Sequence, residues 1–342
     1  MLYFASDYQE GAHPAIIRRL TETNLLKSPG YGTDDFCDSA REKIRTACGC
    51  SGAEVHFLSG GTQANALVIA ALLHPWQGVI AADTGHISTH EAGAIEAGGH
   101  KVLTLPHSLG KISARAVLEM CDIWENDANH DHMVMPGMVY LSQPTEYGTM
   151  YSLNELKEMR SVCDRFGLKL YIDGARLAYA LAACQNDVTL PDLARLCDVF
   201  YIGGTKCGAL LGEAVVVPKP ELLPHFFTFI KQRGALLAKG RVLGIQFDEL
   251  FRDGLYFSIG SEAVRLADRI RDILKRHGYR LAFDSPTNQI FVVLDNHEMA
   301  RLNDKLTFSF WEKLDDEHTI VRLATSWATS EDDVQELEEL MT

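Results

Sequence analysis

The sequence has no apolar run approaching the roughly 18 residues that a bilayer span needs, which excludes a helical membrane protein. It has no excess of basic charge. Lys and Arg number 32 against 46 Asp and Glu, for a net charge of −14. That balance argues against nucleic acid or an anionic membrane as the main partner. There is no disulfide framework. Eight cysteines are spread over 342 residues. Cys48 and Cys50 are not a CxxC pair, and Cys37, Cys121, Cys163, Cys184, Cys197 and Cys207 follow no metal spacing. Met1 to Ile17 carries charge early and has no apolar core of signal-peptide length. GxGxxG, P-loop and HExxH motifs are also missing, so dinucleotide, nucleotide and metal readings lack support. These absences predict a reduced, cytoplasmic, metal-free protein.

What is present is an ordinary globular composition, 46% hydrophobic and 23% charged. An extended arm and a helix, Pro14–Thr23, come first. A turn-rich loop over 28–35 follows, and Asp34 or Asp35 caps a helix through Ala47. Short apolar runs then alternate with helical segments. The strands expected are Glu54–Leu58, Val79–Ala82, Val102–Leu105, Met138–Leu141, Leu168–Ile172, Val199–Ile202 and Ala214–Val217. The helices expected between them are Thr62–Leu73, Ser88–Glu96, Ser113–Cys121 and Leu153–Phe166. Such alternation predicts an α/β fold with a mostly parallel seven-stranded sheet and helices on both faces. Only about ten residues separate the last two strands, too few for a parallel crossover, so the final strand should return antiparallel. A helical stretch, Gly234–His277, is interrupted by Gly254 and Gly260. Two more strands, Gln289–Leu294 and Thr319–Ala324, and a closing helix from Glu331 predict a smaller C-terminal α+β domain. The division expected is 1–24, 25–235 and 236–342.

The turn after Val199–Ile202 holds one lysine, Lys206, among glycines. A buried ammonium is costly unless paired. An amine in such a pocket can instead form an imine with an aldehyde cofactor, and pyridoxal phosphate (PLP) is held this way. A surface lysine on a hairpin is the plain alternative. The other strand ends weigh against it, because ligands of open α/β sheets sit outside the carboxyl ends of the parallel strands. There the sequence places Gly61 and Thr62 opening a helix, suited to a phosphate. It also places Asp83 and His86, then Gln143, Thr145 and Glu146, then Asp173 and Arg176. Asp173 can keep a pyridine nitrogen protonated, or it can pair with Arg176. Arg176 and Arg322 can grip a carboxylate in bidentate fashion, although Arg322 also reads as an exposed strand arginine. His86 suits a flat ring covering the cofactor, with His90 as an ordinary helix residue. The cluster His130-Asp131-His132 reads as a solvated loop.

Taken together, these motifs resemble the L-threonine aldolase family within the β-eliminating lyase group of fold-type-I PLP enzymes. The matching pieces are Ser6-Asp7, Tyr31-Gly32-Thr33-Asp34, Ser59 through Asn65, and Asp83 through Gly93. They continue in Tyr171 through Arg176, Gly203-Gly204-Thr205-Lys206, Gly212 through Val216, and Ile320 through Thr325. They run in the family's order over nearly the whole chain. The resemblance implies an enzyme that cleaves L-threonine, L-allo-threonine or related β-hydroxy-α-amino acids to glycine and an aldehyde. Lys206 is then the imine lysine, Asp173 the pyridine partner and His86 the stacking ring. Gly61, Thr62, Gln63, Thr205 and Arg176 join the cofactor site. Ser6, Tyr31, Arg176 and Arg322 form the substrate site. A homo-oligomer, dimer or tetramer, with active sites between subunits is implied, and Lys239 in the basic stretch 231–241 would reach a neighbour's phosphate. That stretch reads equally as a solvated helix face. Many family members carry Thr-His-Asn after the fourth strand. Here Gln143-Pro144-Thr145-Glu146 stands there, which leaves the base open, with Glu146 as a candidate. The competing readings are another PLP reaction, β-elimination or transamination, and a catalytically idle scaffold of the same fold.

Overall fold

The computed structural model describes residues 1–341. Its strands are β1 (Leu2–Tyr3), β2 (Glu54–Leu58), β3 (Gln77–Ala82), β4 (Val102–Leu105), β5 (Met135–Ser142), β6 (Lys169–Asp173), β7 (Val199–Gly203) and β8 (Glu213–Val217). Five more follow: β9 (Arg280–Leu281), β10 (Gln289–Asp295), β11 (Leu306–Thr307), β12 (Ser309–Lys313) and β13 (His318–Ala324). The large sheet has the order β2-β8-β7-β6-β5-β3-β4. Its pairings are parallel from β7 to β4, and β8 runs antiparallel to both β7 and β2. The antiparallel return of the last strand is therefore as the sequence predicts. Residue 206 lies in the connection between β7 and β8.

The apolar strands are continuous because both faces of the sheet are covered. Alternate residues divide between two cores, as a period of two requires. Val139, Leu141, Leu170, Ile172, Phe200 and Ile202 enter one core. Met138, Tyr140, Tyr171, Val199 and Tyr201 enter the other, under the helix Gly61–Leu72.

Helix boundaries follow local chemistry. The Asp34 side chain accepts from the Cys37 N–H and caps Asp35–Ala47. Ser152 and Glu155 form a capping box, and left-handed Gly167 ends that helix. Three expectations need correction. The helix over Ser88–Glu96 is two single turns, His86–Thr89 and Ala94–Ala97, because Ala92 and Gly93 both take positive φ between them. Gly260 does not interrupt the chain. It lies inside the helix Leu255–Arg276, where a Cβ would stand 2.3 Å from the Ala178 carbonyl oxygen. Its absent side chain lets two helices approach. The C-terminal sheet has four antiparallel strands, β12-β13-β10-β9, where the sequence shows two. The N-terminal arm is tied to this region. β1 pairs with β11, and the Ala324 N–H donates to the Phe4 carbonyl at 2.8 Å.

Candidate active site

A cavity of about 570 Å³ opens at the carboxyl ends of the parallel strands. Gly60, Gly61 and Thr62 reach it from the end of β2, and His86 and His90 from the segment after β3. Glu146 reaches it after β5, Asp173 and Arg176 from β6, and Thr205 and Lys206 after β7. Trp311 and Arg322 close it from the small sheet. Lys206 and Asp173 thus share one chamber.

Asp173 is 4% exposed and accepts four hydrogen bonds. The donors are Tyr140 Oη at 2.6 Å, Tyr201 Oη at 2.5 Å, Ala175 N at 3.0 Å and Asn65 Nδ2 at 3.1 Å. Burial pushes its pKa up, but His86 and these donors outweigh burial and hold the carboxyl below its ordinary value. The group is an anchored anion. Lys206 shows the reverse balance. Burial, then the Arg176 charge, lower its amine below the ordinary value against the pull of Asp7, Asp173 and Glu213. Its Nζ lies 5.7 Å from the Tyr8 ring centre and has no hydrogen-bond partner among the described residues. A lowered pKa raises the share of free amine, the nucleophile that carbonyl chemistry needs.

Arg176 does not pair with Asp173. Its Nε and Nη2 fork onto Asp7 at 2.6 and 3.0 Å. Asp7 is fully buried and also accepts from Asn288 Nδ2 at 2.9 Å. Burial raises the Asp7 pKa, but Arg176 and Lys206 reverse the shift and bring it to about 2. The bidentate grip that the sequence offers to a substrate is thereby occupied within the chain. Arg322 is different. It has no acidic partner among the described residues. Nη1 donates to Gln289 Oε1 at 3.1 Å and Nη2 to the Ala5 carbonyl at 3.3 Å, while Nε is buried and unsatisfied. Burial and Arg176 pull its pKa down to about 10. It is half-buried, not the exposed strand arginine of the plain reading.

His86 is fixed by the structure. Its Nδ1 lies 2.7 Å from Glu91 Oε1, which also accepts from Asn65 Nδ2 at 2.7 Å. Glu146 Oε1 accepts from the His86 N–H at 2.9 Å and from Ser142 Oγ at 2.7 Å, and burial raises its pKa. The helix Gly61–Leu72 starts at Gly60 without a side-chain cap, so its first N–H groups face the cavity. Gln63 does not line the cavity, and its side chain is spent on Ser59, which does. Gln63 Oε1 accepts from both N and Oγ of Ser59, each at 3.0 Å. Thr205 Oγ1 accepts from the Gly212 N–H at 2.9 Å, a contact that needs the positive φ of Gly212.

Ser6, Tyr31 and Lys239 stand apart from this group. Ser6 Oγ is buried without a partner and does not line the cavity. Tyr31, with φ of 58°, lies under Lys231 at 4.3 Å and its N–H donates to the Ala238 carbonyl. Lys239 is exposed beside it. Sequence reasoning assigned no role to Asn65, Glu91, Tyr140 or Tyr201, which hold Asp173 and His86. The signal for the tyrosines was their period-two placement on strands that end at the rim.

Fold and site together define an enzyme of the fold-type-I α/β class, the architecture shared with an aspartate aminotransferase of Thermus thermophilus. That structure superposes with a TM-score of 0.73 at 14% identity, covering 99% of this chain and 90% of the other. The chain belongs to the beta-eliminating lyase family, whose model matches residues 4–296. It is 30% identical over 344 residues to a low specificity L-threonine aldolase of Pseudomonas aeruginosa, covering 98% of this chain and 95% of that one. It is also similar to a solved threonine aldolase of Leishmania major, with a TM-score of 0.96 and 43% identity over 100% of this chain and 98% of the other.

Proposed function

We propose that the protein is a PLP-dependent aldolase that cleaves L-threonine, L-allo-threonine or related β-hydroxy-α-amino acids to glycine and an aldehyde. The observation that carries this reading is the single cavity in which a depressed lysine amine, an anchored carboxylate and an unpaired arginine meet. The relatives' names support the substrate class.

The residues fit the cofactor. An unpartnered amine at Lys206, an ionised Asp173 and an uncapped helix start at Gly60 answer its aldehyde, ring nitrogen and phosphate in turn. Lys206 would hold the aldehyde carbon and Asp173 the ring nitrogen. Gly61 and Thr62, with the backbone of Gln63 and the side chain of Thr205, would hold the phosphate, and His86 would cover the ring face. Bound there, PLP supplies an aldehyde for the substrate amine and a ring that withdraws the electron pair of the breaking bond. Arg322, which lines the cavity and has no acidic partner among the described residues, would bind the substrate carboxylate. Arg176, locked to Asp7, keeps positive charge beside Lys206 and so favours the free amine. Trp311 and Tyr8 add aromatic walls to the same cavity.

Eight free thiols support a reducing, cytoplasmic setting. Exposed Leu25, Leu26, Tyr31 and Phe227 support a homo-oligomer, in which Tyr31 and Lys239 would serve a neighbour's site.

Holoenzyme incubated with L-threonine should release acetaldehyde and glycine in equal amounts. Pyruvate or ammonia would mark a different reaction. No release from fully loaded protein would remove the assignment. Borohydride reduction should fix a pyridoxyl mass on the peptide containing Lys206, and an unmodified peptide would favour the idle scaffold.

A further inference from the structure

We infer that His90 is the base that takes the β-hydroxyl proton of the substrate. The inference rests on the aldolase reading and adds the residue that the sequence leaves open.

The cavity offers several groups able to accept a proton, and most are otherwise engaged. Asp173 is saturated by four donors. His86 is held at Nδ1 by Glu91. Glu146 Oε1 is already claimed by the His86 backbone N–H and Ser142 Oγ. Glu213, beneath the Lys206 turn, is pushed up to about 8 by burial, so it carries its proton at neutral pH. His90 alone among the cavity's imidazoles and carboxyls has no side-chain hydrogen bond among the described residues. Its ring centre lies 5.7 Å from that of His86 and it lines the cavity.

His86 and His90 belong to one helical turn, in which the His90 N–H donates to the His86 carbonyl at 2.9 Å and the two rings lie side by side. Here His90 ends a single turn with φ of −121°, and the chain then takes positive φ at Ala92 and Gly93. The ionisable groups that line the cavity with it are His86 from its own segment, Glu146 after β5, Asp173 and Arg176 from β6, Lys206 after β7, Glu213 of β8 and Arg322 of β13, with the phenols of Tyr8 and Tyr201. Burial lowers its pKa, and His86, Arg322 and Lys206 lower it further. Arg322 and Lys206, the groups assigned to the substrate carboxylate and the cofactor aldehyde, line the same cavity as His90. His90 thus lines the chamber with its ring unclaimed, whereas the His86 ring 5.7 Å away is held by Glu91. A neutral imidazole there is a competent base at pH 7.

The step balances without a redox partner. The β-oxygen gives its proton to the unpartnered imidazole nitrogen, and the O–H electron pair becomes the aldehyde C=O. The Cα–Cβ bond breaks, its electron pair stays with the α-carbon, and one proton returns there to give glycine.

The test uses His90→Gln holoenzyme beside wild type, with threonine, allo-threonine and phenylserine as substrates. Loss of a general base should lower kcat roughly 10²- to 10⁴-fold and abolish the acid limb of kcat/KM. Glycine has no β-hydroxyl, so the change in cofactor absorbance on its binding should persist and report an intact site. Independently of turnover, the His90 ring signal in ¹³C-histidine-labelled holoenzyme should titrate below its ordinary value of 6.5, at the midpoint of the wild-type acid limb. Wild-type rates in His90→Gln with the limb in place overturn the role, as does a His90 midpoint that departs from the limb. A wild-type protein inert to all three substrates overturns the aldolase reading and this role together.

Discussion

At the scale of single residues, the site is governed by how burial is offset. A buried carboxylate left alone takes up a proton, and one with enough donors does not. Asp173 is the second kind because two tyrosines, an asparagine and a backbone N–H converge on it. Removing Tyr201 Oη should raise the Asp173 pKa and weaken the ring-nitrogen contact. A hydrogen bond to a charged group contributes about 1.5–3 kcal/mol, so Tyr201→Phe should weaken PLP binding by roughly 10- to 100-fold. Titration of cofactor absorbance measures this, and an unchanged dissociation constant would refute the role given to Tyr201. The Asp7–Arg176 pair obeys the same physics in a structural setting. Leaving a buried charge without its partner costs about 3–5 kcal/mol, so Asp7→Asn should lower unfolding free energy by that order in urea melts. The folded Asp7 pKa of about 2 lies below its ordinary value of 3.8. The pair's contribution is therefore complete above pH 3.8 and fades as pH falls towards 2. The gap between wild type and Asp7→Asn should narrow over that window. A gap that stays constant would mean the pair is not its source.

At the scale of elements, close approach decides more than propensity does. Gly254 has a φ of 75° and starts the helix Leu255–Arg276, whereas Gly260 exists for contact with the helix Leu177–Ala182. Helix propensity alone favours Ala over Gly by up to about 1 kcal/mol. At residue 260 the sign should invert. A Cβ set 2.3 Å from the Ala178 carbonyl oxygen must push two helices apart, and overpacking of this kind costs about 1–3 kcal/mol. Gly260→Ala should lower the denaturation midpoint, and a raised midpoint would show that the helices are not in contact there. The segment after β3 carries the same lesson. Its residues read as one helix, but positive φ at Ala92 and Gly93 divides it and confines His86 and His90 to a single turn.

At the scale of the molecule, the first residues of the chain belong with the last. We propose that residues 2–5 are part of the C-terminal unit, because β1 pairs with β11, Phe4 binds Ala324 and the Ala5 carbonyl accepts from Ser309 and Arg322, while Asp7 joins this unit to the large domain through Asn288 and Arg176. A chain beginning at residue 8 should lose at least the roughly 3 kcal/mol of the buried ion pair, and cleavage activity with it. Unaltered melting of such a chain would sink this division. The division 1–24, 25–235 and 236–342 keeps the arm separate, and the hydrogen bonds of the arm support a different grouping.

The large sheet, the antiparallel return of β8 and the rim of polar strand ends were all legible in the residues. Each follows from short-range facts: apolar runs, turn formers and the length a crossover needs. Lys206, Asp173, His86, Gly61 and Thr62 could be singled out for the same reason, since a strand end places its next residue on a known rim. Other features rest on groups brought together across the chain. Asp7 meets Arg176 over 169 positions, and Tyr140 meets Asp173 over 33. Which cation keeps its donors free for a substrate, which carboxyl stays ionised and which imidazole remains unclaimed are matters of burial and partner. Those quantities come into being when distant segments pack, because desolvation and donor count belong to a place in the fold and not to a residue type.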